Sequence, residues 1–236
     1  FSTRVLSHLT GKGIDDIEGF LTIEPVHLIT SKDSLSIPQI DIKSEKTGDR
    51  QRVTLHSDML KVEAEGQIAL STLARNAQYM IAKQLSHLSP LAISKGEALN
   101  DFSFHVQLDP LSEYTYLLGQ KWSIDDTTYV SGYINDELEN FEVNIKSNLI
   151  DLGRNSIDSA SVHIHNFVDD SIKINVNAIY QTPIDTTFMH IGGNAFNNQV
   201  DLSIDWENTV EFKLNRYLST KIFFHMLCSC RAWFTG

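Results

Sequence analysis

The chain has 236 residues, 42% of them hydrophobic, enough to bury a core or to cover one side of an extended β layer. Its 19 Lys and Arg against 30 Asp and Glu give a net charge of -11, which repels a phosphate backbone and argues against nucleic acid as a partner. It contains no uninterrupted apolar tract of eighteen residues, and no basic region followed by an apolar one after Phe1, so neither a membrane-spanning helix nor an export signal is expected within it.

Strands are expected first at Gly19 to Ile23 and at Ile37 to Lys43, before a turn at Lys46-Thr47-Gly48-Asp49. From residue 53 to 70 the period is two. Val53, Leu55, Val62, Ala64, Ile68 and Leu70 alternate with Thr54, His56, Lys61, Glu63, Glu65 and Gln67, the pattern of a half-buried strand pair with one greasy and one charged face. The period then changes. Leu73, Ala77, Ile81, Leu85 and Leu88 recur at spacings of three and four, Ser71 or Thr72 suits a cap, and Pro90 stops the segment. This spacing predicts an amphipathic helix over 72–88 with its apolar stripe packed on the greasy face of the preceding strands.

Alternation resumes in Phe102, Phe104, Val106 and Leu108, in Phe141, Val143 and Ile145, in Ile172, Ile174, Val176 and Ala178, and in Val200, Leu202, Ile204 and Trp206. Turn-forming residues separate these runs at Ile134 to Glu137, at Asn166 to Asp170 and at Gly192-Gly193-Asn194. Short intervals between strand and turn indicate antiparallel connections. A faint internal echo links Ser57-Asp58-Met59-Leu60-Lys61-Val62 with Ser147-Asn148-Leu149-Ile150-Asp151-Leu152, each a polar step after which an alternating run continues. Repeated strand units of this kind build solenoids and long sheets. The expected fold is therefore mainly β: an extended, repetitive antiparallel sheet with one helix.

From about Arg216 the alternation fails and the composition shifts, with Trp233 and both cysteines, Cys228 and Cys230, gathered here. Residues 1–215 are thus expected to form the repetitive segment. Residues 216–236 are expected to be an atypical tail outside the fold, of the kind a frameshifted or truncated reading frame produces.

The search for chemistry returns little. His163-x-His165 places two rings on one face of a strand, where a metal could be shared, yet Asp158, Asp169 and Asp170 match no ligand pattern and a hydrogen-bonded or solvent-facing pair explains the spacing better. His56, His105 and His190 stand alone in strand-like runs. Cys228 and Cys230 lack a second pair at zinc spacing. Gly11-Lys12-Gly13 has neither the strand-loop-helix frame nor the Lys-Ser/Thr of a phosphate cradle, and no serine lies in a Gly-x-Ser-x-Gly elbow. The pairs Asp125-Asp126 and Asp169-Asp170 read as solvated turn residues. No catalytic residue, cofactor or metal is expected.

The order of these features resembles the translocation and assembly module TamB family of AsmA-like envelope proteins, in its Bacteroidota form. The resemblance rests on Ile14-Asp15-Asp16-Ile17-Glu18-Gly19-Phe20-Leu21-Thr22-Ile23, on the passage from Leu55-His56-Ser57-Asp58-Met59-Leu60 through Glu65-Gly66 to Leu73, and on Ser147-Asn148-Leu149-Ile150. It covers roughly residues 14 to 207, without the family's amino-terminal anchor or its carboxy-terminal domain. The resemblance implies an internal fragment of a longer protein that is tethered to the inner membrane and lies in the periplasm. It implies a β layer curled into a groove that conducts phospholipid towards the outer membrane, and a link to outer-membrane protein assembly machinery through regions outside these residues. The lipid-facing residues would be Val53, Leu55, Val62, Phe104, Val106, Val143, Ile145, Ile174, Val176, Leu202 and Ile204. The alternatives are a structural or adhesive β protein whose greasy faces close on each other with no groove, and an enzyme or glycan-binding sandwich. An isolated groove segment with open ends is expected to be poorly soluble.

Overall fold

The computed structural model describes residues 3–29, 34–85, 94–111, 115, 121–166, 171–209 and 216–223, with the backbone alone for 28–29, 34–35 and 216–223. Its strands are β1 (Arg4–Thr10), β2 (Glu18–Glu24), β3 (Val26–Ile29), β4 (Ser34–Ile37), β5 (Ile40–Thr47), β6 (Arg50–Ser57), β7 (Leu60–Gln67), β8 (Asp101–Leu108), β9 (Ser123–Ile124), β10 (Thr128–Asn135), β11 (Asn140–Asp151), β12 (Ser156–His165), β13 (Ile172–Gln181), β14 (Thr186–Phe196), β15 (Gln199–Asn208) and β16 (Arg216–Phe223). A 3₁₀ turn (Ile14–Asp16) joins β1 to β2, and the helix α1 (Leu70–Gln84) lies between β7 and β8.

Fourteen strands form one antiparallel sheet, ordered β1-β2-β5-β6-β7-β8-β10-β11-β12-β13-β14-β15-β16, with β9 paired to β11 off this path. The order is almost the order of the sequence, which is what short turns between alternating runs dictate. The sheet does not close: β1 and β16 are its two edges. Among the described residues the only other sheet is the hairpin β3–β4, so no second layer exists to make a sandwich. The surface reflects this. The chain exposes 15541 Å², whereas a compact protein of 26.6 kDa exposes about 10,700 Å².

The helix shows how far the sheet curls. Its first turn is tied to the β1–β2 connection, where Asp15 accepts hydrogen bonds from the Ser71 amide and hydroxyl. Its last turn is tied to the β14–β15 turn, where the Asn198 amide donates to the Gln84 carbonyl at 2.9 Å. Nine inter-strand steps separate β2 from β14, a path of about 43 Å along the sheet. The 15 residues of the helix span only about 22 Å. A chord near half the arc requires the sheet to bend through about half a turn. The result is a trough with α1 laid across one end.

Among the described residues, six of the seven buried apolar ones gather at that end: Ile68, Ala69, Met80, Phe102, Ile172 and Ala195, with Ile37 of β4 apart from them. The helix is pinned there mainly by polar groups. Asp136 of the β10–β11 turn, 1% exposed, accepts from Asn76 Nδ2 at 2.6 Å and from the amide and side-chain nitrogen of Asn100, both at 2.8 Å. Asn76 also receives the Gly96 amide on its Oδ1, and Lys83 pairs with Glu139 at 2.7 Å.

Several expectations change in detail: Gly192-Gly193-Asn194, expected as a turn, lies inside β14, and Leu70, expected at a strand end, opens α1. The helix begins two residues earlier than its expected start, its N-cap Ala69 contributes no side-chain bond, and Ser71 is served by a carboxylate from a distant turn. Its buried positions are Asn76, Met80 and Gln84, while Ile81 is 48% exposed. The stripe shifts because α1 crosses only the end of the greasy face, over turns and strand ends where backbone amides and carboxylates need partners. At the carboxy-terminal side, β16 pairs with β15 from Trp206↔Arg216 to Gln199↔Phe223, carrying the ladder eight residues past the boundary expected at 215. Residues 224–236, with Cys228, Cys230 and Trp233, lie outside the described residues, as do Leu88, Pro90, Asp169 and Asp170.

Candidate functional site

Antiparallel pairing in unbroken register turns local alternation into continuous cross-strand rows. One row reads Ser7, Leu21, Ile42, Leu55, Val62, Val106, Val130, Ile145, Val162, Val176, Ile191 and Ile204 from β1 to β15, each residue the direct partner of the next. All but the first are aliphatic, and Leu218 stands next in the backbone register of β16. The adjacent row on the same face includes Val53, Ala64, Phe104, Gly132, Val143, Ile164, Ile174, Gly193 and Leu202.

The eleven residues singled out from the sequence all fall in these two rows, and all are half-buried. Val53, Phe104, Val143, Ile174 and Leu202 share one row, and Leu55, Val62, Val106, Ile145, Val176 and Ile204 share the other. Because Phe102, Ile172 and Ala195 under the helix lie one row further along this same face, it is the inner surface of the trough. At Gly132 the row is left without a side chain, and the Phe104 ring lies over the gap: a Cβ there would meet Phe104 Cζ at 2.6 Å.

The opposite face is polar. Its central row contains Lys43, Thr54, Glu63, His105, Ser131, Asn144, His163, Asn175 and Ser203. Surface ion pairs knit it locally, among them Arg52 with Glu63, both sides about half exposed, an arrangement worth little by itself.

His163 and His165 belong to this outer face. Their rings stack at a centroid distance of 4.7 Å, and His163 Nε2 lies 2.9 Å from Glu142 Oε1 on β11. The Asn144 amide, with help from His163, holds the Glu142 carboxyl below its ordinary range. Burial, then the positive fields of His163 and Lys173, push the His165 ring down. Among the described residues no group of three His, Cys, Asp or Glu is placed to hold a metal ion.

The sequence places His163, His165 and His190 in strand-like runs but singles out neither β10 nor the inner residues Val130, Val162 and Ile191. The signal for β12 was present. Ala160, Val162 and Ile164 alternate with Ser161, His163 and His165, so the histidine pair is the polar half of a strand and not an isolated motif.

No family model, curated protein or solved structure matches this chain. The fold therefore defines only a class: a single open antiparallel sheet, apolar within its curve, polar outside it, and closed at one end by a helix.

Proposed function

We propose that this chain is a non-enzymatic segment of a TamB-like cell-envelope protein, residing in the periplasm, whose inner face carries phospholipid acyl chains between the inner and outer membranes. A link to outer-membrane protein assembly would run through other parts of the protein. The observation that supports the reading is the row of eleven aliphatic residues from Leu21 to Ile204, crossing eleven strands with no second sheet among the described residues over it. A contiguous exposed apolar surface of this extent marks a binding or membrane-related function in a folded protein.

The energetics suit transport. Exposing an acyl chain of about 16 carbons to water costs on the order of 10 kcal/mol, and a continuous greasy track removes that barrier. A row of near-identical Val, Ile and Leu offers many similar weak sites instead of one tight one, so a chain slides along it without a deep trap.

Photo-crosslinking in cells tests this reading. A photoreactive residue at Val106, Val143 or Val176 is expected to capture phospholipid. The same residue one position away, at His105, Asn144 or Asn175 on the outer face, is expected not to. Equal labelling of the two sets, or no lipid adduct at any inner position with normal expression, overturns the reading.

A further inference from the structure

A cleft of about 630 Å³ opens on the outer face over β13, β14 and β15, on the opposite side of the sheet from the aliphatic rows. Two rows of side chains wall it: Asn177, His190 and Asp205 on one side, and Ile179, Phe188 and Glu207 on the other. The backbone between these rows forms its floor. The register shift between Asp158 and Ser161 on β12, with Ser159 at φ 52°, interrupts the neighbouring strand beside it. Its size is that of a small-molecule site with an apolar lining and a few convergent polar groups.

The chemistry of the walls narrows the ligand. None of the ten residues lining the cleft is Lys or Arg, which disfavours phosphates and carboxylates. Asp205 and Glu207 supply two carboxylates two positions apart on one strand face, and neither has a hydrogen-bond or ion-pair partner among the described residues. Phe188 is 47% exposed on the outer face, and Ile179, its direct cross-strand partner, stands beside it at the wall of the cleft. His190 and Asn177 are bonded to each other at 2.8 Å, so that wall is already set. Solvation alone explains an exposed carboxylate, but not an aromatic ring and an isoleucine set against it in a cleft.

We infer that this cleft binds a small organic ammonium ligand, with its apolar substituents on Phe188 and Ile179 and its positive charge facing Asp205 and Glu207. The face of an aromatic ring attracts a cation, most strongly one with an apolar, weakly hydrated shell, and the two carboxylates add a directional field. The site lies outside the trough and stands whether or not the trough carries lipid.

The test is a titration of the whole chain with choline, followed by amide chemical shifts and by calorimetry, beside the uncharged isostere 3,3-dimethyl-1-butanol. Saturable choline binding is expected, with shifts centred on β13–β15 and weaker binding of the isostere. Phe188→Ala and the pair Asp205→Asn, Glu207→Gln are each expected to weaken binding about three- to tenfold. All three positions are at least partly exposed, so the variants are expected to melt within a few degrees of the parent, and Glu207→Gln alone serves if one does not fold. Absence of saturable binding, equal binding of choline and its isostere, or unchanged binding by the folded variants overturns the inference.

Discussion

Replacing Asp136 by alanine probes the polar latch that seats α1 across the end of the trough. Three donors converge on one oxygen of this carboxylate, the Asn76 side chain at 2.6 Å and two nitrogens of Asn100 at 2.8 Å, and Asp136 and both asparagines are 1% exposed. A buried donor left without its acceptor costs about 1–3 kcal/mol, so the loss of all three comes to roughly 3–6 kcal/mol after partial relaxation. In a chain of this size each kcal/mol lowers the melting temperature by about 2–4 °C, which sets the expected fall at about 6–24 °C. Asp136→Asn keeps one acceptor oxygen in place and is expected to lose less than half as much. Circular dichroism melting measures the fall, and hydrogen exchange locates it: the amides of α1 are expected to lose protection before those of β11 to β14. A fall under about 2 °C, with α1 still protected, would refute the view that this cluster holds the helix.

Two further perturbations address the sheet and its charges. Gly66 sits at φ +147°, where an added Cβ would lie 2.2 Å from the Asp101 carbonyl oxygen, so Gly66→Ala is expected to cost about 2–3 kcal/mol in chemical denaturation; a midpoint equal to the parent's would show that β7 and β8 are not held in this close approach. Glu139 has its carboxyl held below the ordinary range by the Lys83 hydrogen bond and, against the opposing effect of burial, by Lys95. A folded-state pKa depressed below the unfolded one gives stability that is present above the unfolded value, near 4.5, and is lost as pH falls through the folded value. Melting temperatures of the parent are therefore expected to drop more than those of Glu139→Gln between pH 6 and pH 3, and parallel curves would count against the pairing.

Much of the inner face is legible in the linear order of residues, because a strand needs only its own alternation to separate greasy from polar. Val53 and Leu55, Phe104 and Val106, or Ile174 and Val176 can be assigned to one side with no knowledge of their neighbours. The helix is less legible. Leu73, Ala77 and Ile81 have the right spacing for a core stripe, yet Asn76, Met80 and Gln84 are the buried set, because the surface α1 meets is a row of turns with unsatisfied amides and carboxylates. The capping of Ser71 by Asp15 and the convergence of Asn76, Asn100 and Asp136 join positions tens of residues apart, and no local pattern announces them.

The outer-face cleft is harder still to find in the sequence. Ile179 and Phe188 break the polar alternation of β13 and β14, but they read as irregularities until register sets them opposite each other and beside Glu207. His163 and His165 read from the sequence as a hydrogen-bonded or solvent-facing pair, but only the alignment of their strand with β11 supplies Glu142 as the partner of His163.

By itself the sequence determines the β character of the chain, the existence of the helix α1, and which side chains share a face, since these depend on periods of two and of three to four that act over a few residues. The tertiary structure decides the rest. Register is a property of two strands at once, and it alone aligns the faces into rows from Leu21 to Ile204. Curvature is a property of the whole sheet: it follows from a helix shorter than the arc it bridges, and it makes one side of an amphipathic layer the inside of a trough.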